Sequence, residues 1–246
     1  MRYLILSDIH ANTPALDAAL AFVRRKHWDR TVVLGDVVGY GADPNQAIET
    51  VRAQKKLVVV RGNHDKVCSG IESGEMFNRT ALAAAQWTRR KLTQANHRWL
   101  RDLPRGPVPV DEAFTICHGA PVDEDAYIFG EIDALNVFRQ TSSDVCFFGH
   151  SHFPVIFGLS PDAITTTLSR GRAFRYALEP GVRYLINPGS VGQPRDGNPR
   201  ASFASFDSDK RVVTIYRVDY PVHKARQRIL DAGLPRGLGD RLYLGR

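Results

Sequence analysis

The sequence predicts a mixed α/β fold, with a parallel sheet covered by helices in the first half and a mostly antiparallel second sheet after residue 152. Three observations predict it. Short apolar runs at 2–6, 31–34 and 57–60 each end in a polar turn, and helical patterns follow the first two. A further run, Val145 to Gly149, stops in glycine as a buried strand does at the edge of a sheet. Beyond it, strand-like segments of alternating character are separated by Gly, Pro, Asn and Asp turns.

Taken in order, residues 2–6 form the first strand. Thr13 can cap the helix that follows, Pro14 suits its first position, and Leu16, Ala19, Leu20 and Val23 make its apolar stripe. Strand 31–34 leads through Gly35-Asp36-Val37-Val38-Gly39 to a helix that starts at Asp43-Pro44 and runs to about residue 53. Strand 57–60 ends in Arg61-Gly62-Asn63-His64-Asp65. Residues 66–74 read as a Gly/Ser loop and 78–91 and 93–103 as helices, the second capped by Thr93; together, about 66–103 form a lid-like helical insertion. A proline-rich connector at 104–109 precedes strand 114–117, and a helix at 132–140 precedes the run at 145. The late strands are expected at 155–159, 163–168, 172–178, 184–186, 202–206 and 212–218, then a helix at 221–230 and a polar tail. The whole chain, 1–246, is expected as one domain.

A net charge of +7 favours anionic partners, among them phosphate esters and nucleic acid. The basic clusters at 24–26, 89–91 and 223–228 read as solvated faces, the first two at helix ends where cations suit the macrodipole. No aromatic-interleaved basic stripe is present, so nucleic acid is possible but not favoured. No apolar run approaches the roughly 18–20 residues that span a bilayer, so no membrane partner is expected. The start meets a carboxylate at Asp8 too early for a signal peptide and reads as strand. Three cysteines without CxxC spacing point to a reducing, cytoplasmic setting, with Cys117 and Cys146 as buried core residues.

Each of the five strand ends before residue 153 carries a metal-type ligand: Asp8 and His10; Asp36; Asn63 and His64; His118; His150 and His152. In open α/β sheets the site lies at the carboxyl ends of the strands, so these residues are delivered to one edge. Alone, each would pass as a turn or loop residue; five strand ends in succession would not. His150 and His152, two apart in extended backbone, project to one side. His27, His97 and His223 lie within or beside helices and read as structural or solvated. A nitrogen and oxygen donor set without thiolate suits Mn²⁺, Fe, Co, Ni or Zn better than copper or an iron–sulfur cluster.

Asp8-Ile9-His10, Gly35-Asp36-Val37-Val38-Gly39, Gly62-Asn63-His64-Asp65, His118-Gly119 and Gly149-His150-Ser151-His152 resemble, in order, the motif set of the calcineurin-like metallophosphoesterases. The later Asn187-Pro188-Gly189-Ser190-Val191-Gly192-Gln193-Pro194-Arg195 resembles small prokaryotic members of that family. The resemblance implies a two-sheet β-sandwich flanked by helices, in four layers. It implies two divalent ions, Mn²⁺ first among the candidates, one held by Asp8, His10, Asp36 and His152 and the other by Asp36, Asn63, His118 and His150. Asp36 would bridge them, and a bridging hydroxide would attack phosphorus in line. His64 would act beside the ions, protonating the leaving group or steadying the phosphoryl oxygens. Asn12 either meets a phosphate oxygen or caps the helix, and Arg195 either covers the phosphate or is a solvated turn residue; Tyr40 and Asn78 are weaker candidates. Gly39 and Tyr40 stand where the family's protein phosphatases carry Asp and Arg, which favours diesters or small phosphate compounds over phosphoproteins. Asp65 replaces a glutamate common in the family. A phosphate-ester or nucleotide substrate is thus expected. The competing readings are a nuclease or nucleotide hydrolase, and a catalytically silent binding module.

Overall fold

The computed structural model describes residues 1–24 and 26–246; Arg25, in the basic cluster at 24–26, lies outside the described residues. The chain runs β1 (Arg2–Leu6), α1 (Thr13–Val23), β2 (Arg30–Val33), α2 (Pro44–Arg52), β3 (Val58–Val59), α3 (Asn63–Ser69), α4 (Arg79–Lys91) and α5 (Gln94–Arg101). It continues β4 (Val108–Val110), β5 (Phe114–Ile116), α6 (Glu131–Gln140), β6 (Val145–Phe147), β7 (Val155–Leu159), β8 (Ile164–Leu168) and β9 (Ala173–Ala177). It closes with β10 (Arg183–Asn187), β11 (Ala201–Asp207), β12 (Val212–Val218), α7 (Val222–Asp231) and α8 (Arg236–Asp240).

Two six-stranded sheets face each other, ordered β3-β2-β1-β11-β12-β9 and β4-β5-β6-β10-β7-β8. Strand alternation builds the layers. On β1, Leu4 and Leu6 enter a core shared with Leu16, Ile48, Ala84 and Leu100 of the covering helices. Tyr3 and Ile5 point the other way, into an inter-sheet core with Val32, Phe147, Ile186 and Phe206. Phe138 of α6 packs with Cys146, Phe148 and Phe157 on the outer face of the second sheet. The result is the four-layer sandwich expected from the resemblance.

The division of the strands differs from the first reading. Parallel and antiparallel pairings are mixed in both sheets. Central β1 pairs parallel with β2 and antiparallel with β11, while β6 and β10 pair parallel in the other sheet. An apolar run fixes that a segment is a strand but not which remote strand it joins.

Four local expectations change. Residues 63–69 form α3, so the supposed loop at 66–74 begins only near Gly70, which closes the helix in the left-handed region at φ 75°. All but the first residue of α3 are buried, including His64, Asp65 and Lys66, so no apolar stripe announced it. Asn12, not Thr13, caps α1: its Oδ1 accepts from the Ala15 amide at 3.2 Å, and Thr13 instead donates to Asp43 at 2.6 Å. The connector contains β4. The polar tail contains α8, whose Leu238 is buried along with Leu242 in the turn beyond it. The cap of α4 is Asn78 and that of α5 is Thr93, as read for the latter. All three cysteines are free and buried.

Candidate metal centre and its comparisons

The loops after β1, β2, β5 and β6 and the start of α3 meet at one edge of the sandwich, and the backbone there is contorted. Asp8, His10, Asp36, His150 and His152 all have φ between 50° and 64°, the left-handed region that side chains other than glycine rarely occupy. Such residues cost about 1–3 kcal/mol each and persist only where the surroundings hold them. Here the loops hold one another: the Asp8 amide donates to Gly35 at 3.1 Å, that of His10 to Asp36 at 2.9 Å, and that of Gly149 to His118 at 2.7 Å. Gly62 is required by contact, because a Cβ there would stand 2.1 Å from Asp36 Oδ1.

Two groups of donors result. Atoms of Asp8, His10, Asp36 and His152 lie within 4.8 Å of one another, as do atoms of Asp36, His118 and His150, and every one of these residues is buried. Asp36 is common to both. Its Oδ2 is 3.5 Å from His10 Nε2 and 3.5 Å from His118 Nε2, while its Oδ1 accepts from the His64 amide at 2.9 Å. Asn63 Oδ1 lies 3.2 Å from His118 Nε2. The structure thus brings together all seven residues expected as ligands.

The histidine tautomers test whether a cation fits. His10 Nδ1 donates to Val38 O at 3.1 Å, His118 Nδ1 to Leu34 O at 2.8 Å, His152 Nδ1 to Gln193 O at 2.6 Å and His150 Nε2 to Asp125 O at 3.0 Å. A carbonyl only accepts, so in the neutral rings the other nitrogens are bare lone pairs turned into the cluster. His10 Nε2 and His152 Nε2 face each other at 3.1 Å, and His118 Nε2 faces the Asn63 amide oxygen at 3.2 Å. Two acceptors at that distance repel unless a cation lies between them. At His118, burial is outweighed by Asp36 and Asp8, which raise its pKa. Burial and the neighbouring positive charge of Arg195 hold His152 below its ordinary pKa; burial, then His152, His64 and Arg195, do the same to His10; and burial takes His150 down to about 2. Neutral imidazoles are the ligating form. Burial, with Asp65 and Asp8 nearby, pushes Asp36 well up, a cost that a bound cation removes. Burial works against ionised Asp8, but His152 outweighs it, and Ser7 Oγ donates to its Oδ2 at 2.6 Å. The residues present fit divalent metal.

His64 stands apart. Its ring lies between Tyr40, at a centroid distance of 4.2 Å, and Phe77, at 4.5 Å. Its Nδ1 is buried with no hydrogen-bond partner among the described residues. Burial and then the charge of Arg195 lower its pKa. A cavity of about 550 Å³ opens over His64 and the donors, with Arg195 on its lining. That guanidinium is held by Gln193 Oε1 at 3.0 Å and lies 6.0 Å from the Tyr40 ring. Asn12 does not reach this cavity as a phosphate contact: its amide caps α1 and donates to Gly192 O at 2.8 Å. Asn78 and Tyr40 line the cavity. Sequence reasoning missed Phe77, Asp125 and Tyr127, the last stacked on His150 at 3.8 Å. No spacing signal marked them, since Asp125 tethers His150 through its backbone carbonyl, which any residue supplies.

A four-layer sandwich with buried, carbonyl-tethered nitrogen and oxygen donors at one sheet edge is the setting of a metal centre, and the family match makes it that of a metal-dependent phosphoester hydrolase. Residues 1–211 match the calcineurin-like phosphoesterase superfamily domain, and the chain belongs to that superfamily. It is 37% identical to the MJ0912 protein of Methanocaldococcus jannaschii over 98% of this chain and 97% of that protein. Phosphodiesterase YfcE of Escherichia coli is 26% identical over 85% of this chain and 89% of its own length. Among solved structures, a metallophosphoesterase from Sphaerobacter thermophilus superposes with a TM-score of 0.88 at 37% identity, covering 100% of this chain and 99% of that one.

Proposed function

We propose that this protein hydrolyses phosphodiesters at a dinuclear centre, with Asp8, His10, Asp36 and His152 holding one divalent ion and Asp36, Asn63, His118 and His150 the other. The observation that carries the reading is the position of Asp36 Oδ2, equidistant at 3.5 Å from a histidine of each group. When bound, the pair of ions supplies positive charge for the phosphoryl oxygens and a water activated for in-line attack. Mn²⁺ leads the candidates, before Fe, Zn, Ni and Co.

The chain's own residues supply the rest. Tyr40 and Phe77 hold the His64 ring over the cavity. Burial and Arg195 disfavour its imidazolium, and the anionic phosphoryl group of a bound substrate favours it. That form gives its proton to the departing alkoxide as general acid and is left as neutral imidazole. Arg195 meets the phosphate from the loop after β10. A diester preference is supported by Gly39 and Tyr40, which replace the Asp and Arg of phosphoprotein phosphatases, and by the activity in the name of the Escherichia coli relative. We read the chain as one domain whose segment 66–103 walls the site, because Ala81, Ala84 and Leu100 share a core with β1. No described helix is long and apolar enough to cross a membrane, and with three free cysteines a cytoplasmic setting is the reading we favour.

The test is a chromogenic diester and its matching monoester, offered to Mn²⁺-loaded protein. Diester turnover should exceed monoester turnover, vanish with chelator and be lost in Asp36→Asn. A metal-replete protein inert on a broad ester panel would overturn the reading, and full activity in Asp36→Asn would remove the shared carboxylate from it.

A further inference from the structure

The cavity is far larger than a phosphoryl group, and its walls are unlike one another. Its lining includes the donors Asp36, Asn63, His150 and His152, with His64 and Arg195. Beyond them one wall is apolar: Val67 from α3, Phe77 from the 70–78 turn and Ala81 from α4. Phe77 is fixed where it stands, its amide donating to Gly74 O at 2.9 Å and its ring lying on His64. The facing wall is Tyr127, parallel to His150 within 21° and extended outward by Phe129, which stacks on it at 5.0 Å and 9°. Tyr127 and Phe129 remain 44% and 66% exposed, an aromatic shelf at the mouth.

Charge narrows the occupant further. Arg195 is the one lysine or arginine among the lining residues, whereas Glu72, Glu75 and Asp125 line the same cavity. The nearby Lys66 is already engaged, its ammonium donating to Glu72 at 2.7 Å and to Asp125 at 2.6 Å. Glu72, Glu75 and Asp125 thus put carboxylates on the part of the wall beyond the donors, although the chain as a whole carries +7. A phosphate tail or a polynucleotide extending past the donors to Glu72, Glu75 and Asp125 would meet like charge there. A flat apolar group would meet Phe77, Ala81 and Tyr127.

We propose that this cavity is a subsite for the aryl or similarly flat apolar ester group of a singly charged phosphodiester, and that it selects against polyphosphates and nucleic acid. The proposal rests on the diester reading for its chemistry, but not for its recognition, and the experiment separates the two. Metal-loaded protein is first titrated with phenylphosphonate and methylphosphonate while its melting temperature is followed. Phenylphosphonate should stabilise at a concentration roughly tenfold lower, the usual reach of an apolar pocket for an added group. Turnover is then measured for 4-nitrophenyl diesters whose second group is methyl, phenyl or a diphosphate-bearing chain. The phenyl ester should exceed the methyl ester about tenfold in kcat/KM, mainly through KM, with the diphosphate slowest.

Ala81→Leu, which fills the apolar wall, should shrink the phenyl-to-methyl ratio. Glu72→Gln with Glu75→Gln, on the exposed rim, should raise the relative rate on the diphosphate and does not depend on repacking a helix. Equal protection by the two phosphonates, or a diphosphate ester preferred by the native chain, would overturn the subsite while leaving the diester reading intact. The phosphonate ranking without hydrolysis of any diester would overturn the diester reading and leave the subsite standing.

Discussion

His10, His118, His150 and His152 gather at the same edge of the sandwich as His64, yet the four and the one are held in opposite ways. Each of the four is tied, through the nitrogen facing away from the cluster, to a backbone carbonyl at 2.6–3.1 Å. His64 has no such tie, and aromatic rings on either side hold it. The tie fixes a tautomer and aims a lone pair, which is what a metal ligand must offer without change. A group that gives up a proton and recovers it gains nothing from a fixed tautomer, and ring contacts place it without setting its protonation. The metal face is therefore rigid through hydrogen bonds and the substrate face through packing.

Two truncations test that division most severely. His118→Ala removes a tied ligand, so bound metal, counted by atomic emission, should fall below that of the native protein, and activity should drop towards background. His64→Ala should retain the full metal content and lose about 10²- to 10⁴-fold in kcat, the range of a general acid. If His64→Ala loses metal as readily as His118→Ala, the two faces are not separate.

Gly39→Ala acts on the substrate face alone and should have a smaller effect. Gly39 sits at φ +92°, and a Cβ there would be 2.5 Å from His64 Nδ1. The strain should lower unfolding free energy by about 1–3 kcal/mol. Displacement of the imidazole by a fraction of an ångström should reduce kcat by up to about 10²-fold, with metal content unchanged. Unaltered kcat in a folded Gly39→Ala protein would show that the ring position is not what the site depends on.

The same contrast explains what the sequence made legible. The proposed ligation demands particular side chains at chain reversals, so the clustering of Asp8, Asp36, His118, His150 and His152 was legible at the strand ends. Strand existence was equally plain, but the pairing of β1 with β11 joins segments about 200 residues apart and depends on the whole core. Helix α3 was hidden because the polar residues His64, Asp65 and Lys66 occupy buried positions where an apolar stripe would have announced it. On the substrate face, Phe77 and Tyr127 resemble any loop aromatics, and their meaning lies in contacts with His64 and His150. The carbonyl ties of the metal face were invisible for the opposite reason, since every residue type carries that group.

The smallest effect expected concerns the place where the two faces meet. The Asp125 carbonyl ties His150, while the Asp125 carboxylate takes Lys66, and Lys66 leads on to Glu124 at 3.4 Å. Arg61 grips Glu124 with two hydrogen bonds at 2.9 and 3.0 Å. Burial works to raise the Glu124 pKa, but Arg61 and Lys66 outweigh it and hold it below its ordinary value of 4.5. A carboxyl depressed in the folded state stabilises fully above its unfolded value, and that contribution is lost as pH falls through the depressed one. For Lys66, burial is outweighed by Asp125 and Glu72, and its pKa is raised above 10.5, so its contribution holds below that value and is lost as pH rises past the folded one. The partners Glu72 and Asp125 are nearly half exposed, so water screens the Lys66 pairs and their contribution should be about 1 kcal/mol or less. Urea unfolding across pH should then show Glu124→Gln flattening chiefly the acid limb and Lys66→Met chiefly the alkaline limb, each with a smaller change on the other because the two groups act on one another. If the ion cluster serves the substrate wall, metal affinity at neutral pH should be the same in both variants. Should Lys66→Met weaken metal binding, the wall and the metal face would be a single unit joined through the loop that carries Asp125 and Tyr127.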